Sequence, residues 1–133
     1  MTIIIVQSDD YARSYCIKTI YERLSWKVHT FHFLSRGDGV PELLTPGERQ
    51  LFITGSRHGQ TKHIPAFVSK LRGMNAELVC MSYSVSSLPG PFDYVIKKEG
   101  GADVADLFAA IEGFLSGQIN RREQVANEKT EYS

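Results

Sequence analysis

The feature that most limits what this chain can become is the run Ile3-Ile4-Ile5-Val6, apolar without interruption. A strand with one wet face alternates apolar and polar residues, whereas a strand covered on both faces does not. The run therefore reads as a central strand of a parallel sheet, with helices packed above and below. Leu51 to Thr54 and Leu78 to Ser82 are further apolar strand-like runs, and Asp93 to Lys97 is a fifth strand segment.

The intervening stretches supply the rest. From Asp10 to Ser25, residues Ala12, Cys16, Ile17, Ile20 and Leu24 recur at three and four positions, a single helical stripe, with Asp9 or Asp10 placed to cap it. Trp26 to Leu34 is aromatic and β-branched, with Val28, Thr30 and His32 alternating with His29, Phe31 and Phe33, which predicts a second strand at a sheet edge. Gly37, Gly39, Pro41, Pro46 and Gly47 leave room for only a turn or so of helix around Val40 to Leu44. Ile64, Phe67, Val68 and Leu71 then form a helical stripe whose first turn tolerates Pro65, and Gly73 or Asn75 can end it. The short link from Ser82 to Asp93 contains Pro89, Gly90 and Pro91, so a loop or single turn is expected instead of a crossover helix. Val104, Leu107, Phe108, Ile111, Phe114 and Leu115 predict a final helix. Beyond Gly117 the chain is almost wholly polar, a tail that either frays or extends the helix into a partner.

This alternation predicts a three-layer, doubly wound α/β domain. Its five-stranded parallel sheet has order 2-1-3-4-5, a flavodoxin-like arrangement with a shortened second helix and a reduced or missing fourth. Residues 1–117 form the domain and 118–133 a polar extension. In such a sheet ligands sit outside the carboxyl ends of the strands at the topological switch point, here between strands one and three. That singles out Gln7 to Asp10, Thr54 to Arg57, Ser82 to Ser84, Lys97 and Lys98.

Composition narrows the function classes. At 133 residues with 42% hydrophobic content, the chain is one globular domain. Its 15 basic and 15 acidic residues cancel, so no global field draws it to nucleic acid. No apolar run approaches the roughly 18 to 20 residues of a membrane span, and the opening lacks the basic region of a signal peptide. Cys16 and Cys80 read as two buried thiols, not a disulfide scaffold. These points favour the cytoplasm.

Three motifs carry a family resemblance: IIIVQSDD at Ile3 to Asp10, LVCMS at Leu78 to Ser82, and FDYVIKK at Phe92 to Lys98. Through them the chain resembles response-regulator (CheY-like) receiver domains over Thr2 to Gly117. In that family an acidic pair after strand one binds magnesium, an aspartate ending strand three accepts the phosphoryl group, a Ser or Thr ends strand four, and a lysine ends strand five. The last two roles carry over onto Ser82 and Lys97. The first two do not, because Gln7 and Ser8 follow Val6, Asp9 and Asp10 are displaced, and Thr54 or Gly55 stands at the phosphoacceptor position. Lys98 also replaces the usual proline.

Magnesium wants carboxylate oxygens and an aspartyl phosphate needs an aspartate. The resemblance thus implies a degenerate pseudo-receiver with a pocket of Gln7, Ser8, Asp9, Thr54, Gly55, Ser82 and Lys97. No catalytic residue, metal or cofactor is expected. The expected role is a phosphorylation-independent interaction module that binds another protein or pairs with itself.

A rival expectation rests on Gly55 to His63, where Ser56, Arg57, His58, Lys62 and His63 crowd donors at a helix start. With Ser82, Lys97 and Lys98 they could hold an anion or small ligand, or serve an enzyme, although the spacing of a phosphate loop is absent. His29 and His32 face opposite ways on a strand, and His58 and His63 lack a completing cysteine or acid cluster for zinc. Ser56 with His58 or His63 has neither a nucleophile elbow nor an orienting carboxylate.

Overall fold

In the computed structural model, which describes residues 2–6, 18, 20, 22–23, 29–55, 63–84, 90–97 and 105–122, the apolar runs assemble as one parallel sheet. Its strands are β1 (Thr2–Val6), β2 (Thr30–Leu34), β3 (Gln50–Thr54), β4 (Leu78–Ser84) and β5 (Tyr94–Lys97). Their spatial order is β2-β1-β3-β4-β5, every pairing parallel. The expected fold class and strand order are those observed.

The uninterrupted apolar runs are explained by two cores, one on each face. Ile3, Ile5, Leu51, Ile53, Val79 and Met81 point to one side, with Ile20, Leu107, Phe108, Ile111 and Phe114 packed over them. Ile4, Val6, Phe52, Leu78 and Cys80 point to the other, beneath Val40, Val68 and Leu71. Ile3, Ile4 and Ile5 are all completely buried. Each such side chain contributes about 1.5–3 kcal/mol relative to exposure, which is why a polar residue has no place in these runs.

Among the described residues, three helices of defined extent cover these faces. A 3₁₀ turn (Gly37–Gly39) leads into the single-turn α1 (Val40–Leu43), the shortened helix that the glycines and prolines predict. Helix α2 (Ile64–Met74) carries Pro65 in its first turn and ends at Asn75, whose N–H donates to the Leu71 carbonyl. Helix α3 (Ala105–Leu115) buries Leu107, Phe108, Ile111 and Phe114. Lys18, Ile20, Glu22 and Arg23 are helical as well, within the stretch expected as the first helix. The other positions of that expected helix, including Asp9, Asp10, Ala12, Cys16, Ile17 and Leu24, lie outside the described residues.

Two strand boundaries differ from expectation by more than one residue. Strand β2 starts at Thr30, with His29 at a bend before it. Strand β4 runs on to Ser84 because Tyr83 and Ser84 keep pairing with Ile96 and Lys97 of β5. Residues 90–93, ahead of β5, are non-helical, and residues 85–89 lie outside the description. Strand β5 leaves Tyr94 42% and Val95 58% exposed.

The larger difference is at the C-terminal end, where the chain neither frays at once nor extends α3. Gly117 turns it back with φ +83°, a left-handed conformation that favours glycine. The N–H groups of Gln118 and Ile119 then both donate to the Gly113 carbonyl, at 2.8 and 2.9 Å. Ile119 lies so close over Gly113 that a Cβ there would come within 2.7 Å of its Cδ1. Residues 118–122 thereby return to the amino-terminal edge of the sheet.

Candidate functional site

The carboxyl edge of the sheet is defined by its register. Leu34, Val6, Thr54, Ser82 and Val95 form one row across the five strands. Thr54 and Ser82 are therefore direct neighbours on β3 and β4, and both are buried. The Thr54 hydroxyl donates to the Gly55 carbonyl at 3.1 Å, and the Gly55 N–H donates to the Val6 carbonyl at 3.2 Å, carrying the β1–β3 ladder one step past the strand end. Lys97 closes β5 opposite Ser84, two residues beyond the Ser82 row.

Of the pocket expected from the sequence, Thr54, Gly55, Ser82 and Lys97 thus lie along one edge, with Thr54, Gly55 and Ser82 adjoining. Gln7, Ser8 and Asp9 lie outside the described residues, as do Ser56, Arg57, His58 and Lys98 of the expected anion loop. In the strand-end row the described residues offer two hydroxyls and no carboxylate. That set does not suit magnesium, a hard cation that takes carboxylate oxygens. Among the described residues no group of three His, Cys, Asp or Glu gathers as a metal site.

Beside this row, where the switch point was expected, lies a cleft of about 760 Å³, and what sequence reasoning missed is its wall from Ser35 to Asp38. Val6, Ile64 and Phe67 give it apolar walls, and Ser35, Arg36, Asp38, Thr54 and His63 give it polar ones. Arg36 and Asp38 make an ion pair of 3.4 Å with side chains 80% and 71% exposed. Gly37 shapes the wall, because a Cβ there would stand 3.1 Å from the Phe67 ring. The one available signal was the spacing of Gly37 and Gly39 directly after β2, a backbone turn that brings the Arg36–Asp38 segment over the strand ends.

The opposite edge holds a second polar constellation. Asp93, the second residue of the FDYVIKK motif, is sealed from water and ion-paired with Arg72 at 2.7 Å. Its carboxylate also accepts the Cys80 N–H at 2.7 Å, while its own N–H donates to the Cys80 carbonyl at 2.7 Å. Asp93 thus serves both backbone groups of Cys80 one step before β5 begins. Burial beside Asp93 pushes the Cys80 thiol up to about 12, so it stays protonated and unreactive at neutral pH.

No family model matches the chain, and no curated protein matches it in sequence. Among solved structures it is similar to the isolated REC domain of RcsB from Salmonella enterica serovar Typhimurium, determined in the presence of phosphomimetic BeF3-. That likeness has a TM-score of 0.62 at 16% identity and covers 96% of both chains. At this identity it is a likeness of fold, and what it establishes is that the chain adopts a receiver-like α/β fold.

Proposed function

We propose that this chain is a receiver-like signalling module that acts through protein contacts without aspartyl phosphorylation. One observation carries the reading. The position where the receiver resemblance calls for the phosphoacceptor carboxylate falls on Thr54 or Gly55, at the end of β3 beside Val6 and Ser82. It offers a hydroxyl or no side chain in its place. A hydroxyl cannot form an acyl phosphate, and the same row supplies no carboxylate for magnesium. The partner on this reading is another protein or a second copy, met in the cytoplasm. Nucleic acid is disfavoured by the balanced charge, and no described helix is long and apolar enough to cross a membrane.

Incubation with acetyl phosphate and magnesium, followed by intact-mass measurement, tests this directly. The expected result is an unchanged mass, and a phosphoryl adduct would overturn the reading. Affinity capture from the native host with the untreated chain then identifies the partner.

The cleft favours a second reading, in which the carboxyl edge binds a small ligand or anion. Its walls combine apolar side chains with Arg36, Thr54 and His63, a mixture typical of ligand sites. A ligand that binds only the folded state raises its apparent stability by mass action. A thermal-shift screen with phosphate, nucleotides and divalent ions therefore decides, and no shift with any of them removes this reading.

A further inference from the structure

We propose that residues 117–122 form a latch: a C-terminal strap that opens and closes as one unit on the amino-terminal edge of the sheet, its closure sensed by the Arg72–Asp93 pair. This does not depend on the function proposed for the opposite edge.

Three arginines and one carboxylate hold the strap. Arg49 donates to the carbonyls of Phe114 and Ile119 at 2.7 and 2.9 Å and to Asn120 Oδ1 at 2.8 Å, with its guanidinium 4.0 Å from the Phe114 ring centroid. Arg121 reaches back from the strap to the carbonyls of Arg72 and Asn75, at 3.2 and 2.8 Å. At the strap's end the Arg122 N–H donates to Asp93 Oδ1 at 2.6 Å and its carbonyl accepts from Arg72 Nη2 at 3.0 Å. The buried ion pair is therefore bonded to the strap through both of its members.

The strap is built to open separately from the sheet. Among the described contacts, Ile119 is the apolar side chain the strap lends to the core, beside its hydrogen bonds at the edge. With one apolar anchor, opening the strap is expected to cost less than unfolding the sheet, even though it strips partners from both Asp93 and Arg72 of the buried pair. Cys80 reports that event, because its N–H is bonded to the same Asp93 carboxylate that accepts the strap's Arg122 N–H.

The test combines native-state hydrogen exchange on the full chain with thiol labelling in a Cys16→Ser background, where Cys80 is the remaining cysteine. The amides of Gln118, Ile119 and Arg122 are expected to exchange at one common rate, at least about 10-fold faster than those of Phe52 and Met81 in the sheet. Cys80 labelling should track the strap amides, and Arg121→Ala should accelerate both together. Strap amides exchanging at the sheet's rate would show one cooperative unit and overturn the latch. Fast strap amides with Cys80 labelling at the sheet's rate would overturn its coupling to Arg72 and Asp93. Both outcomes are readable on the unsubstituted strap, so the test survives a variant that fails to fold.

Discussion

The two edges of the sheet use the same pair of residue types to opposite ends. At the carboxyl edge Arg36 and Asp38 stand 3.4 Å apart in solvent; at the amino edge Arg72 and Asp93 meet at 2.7 Å, shut away from it. An exposed pair gains little in high dielectric, and its side chains remain available to a ligand. A buried pair carries a desolvation penalty and is tolerable only when its other donors and acceptors are satisfied. The Cys80 and Arg122 contacts supply that satisfaction. The amino edge therefore depends on its satisfied ion pair for its hold, whereas the charges of the carboxyl edge stay open to water.

The substitution that tests this contrast hardest is Asp93→Ala. It strands a buried guanidinium and frees the Cys80 and Arg122 amides, so urea denaturation should show a loss of about 3–5 kcal/mol. A loss near that of a surface substitution would break the comparison. Next in size is Asn75→Ala. The Asn75 side chain accepts from Gly47 and Glu77 and donates to the Glu48 carbonyl and to Gln50 Oε1, joining the chain before β3 to the chain before β4. Removing it orphans buried groups at a cost of about 2 kcal/mol by the same measurement.

The sheet was legible in the sequence because burial on both faces leaves a one-dimensional mark. Ile3 to Val6 and Leu78 to Met81 admit no polar residue, and the glycines and prolines between Ser35 and Gln50 shorten α1 by local backbone chemistry alone. The Thr54–Ser82 neighbourhood was also within reach, since strand order and strand ends determine it. The strap was not. A polar tail rich in arginine looks solvated unless the buried acceptors it serves are known, and those lie at distant sequence positions, Asp93 and Asn75. The Ser35–Asp38 wall of the cleft escaped for a related reason, because its approach to the strand ends depends on Gly37 packing against Phe67.

Alkaline pH sharpens the contrast next. The folded Cys80 thiol titrates near 12, above an unfolded value of about 8.5. Between those values the unfolded chain has lost the proton that the folded chain keeps, so rising pH favours unfolding. Stability from this group is fully present below the unfolded value and is lost as pH climbs through the folded one. Within that window the slope approaches about 1.4 kcal/mol per pH unit. Urea midpoints between pH 8 and 11 should show it, and Cys80→Ala should remove it, with the difference between the two curves isolating this thiol from other basic-range groups.

The smallest effect belongs to Arg36→Ala. Its ion pair with Asp38 is open to water on both sides, so the Coulomb gain is small and is further reduced by salt, whose screening length is about 8 Å at physiological ionic strength. Stability should change by less than about 0.5 kcal/mol, and the difference should shrink further in high salt. A loss above about 1 kcal/mol would mean that the carboxyl edge is held together by its charges as the amino edge is, and the division of labour would fail. If instead stability is unchanged while an anion-dependent thermal shift disappears, Arg36 belongs to the ligand, because a side chain the fold does not need has then been shown to matter only when something binds.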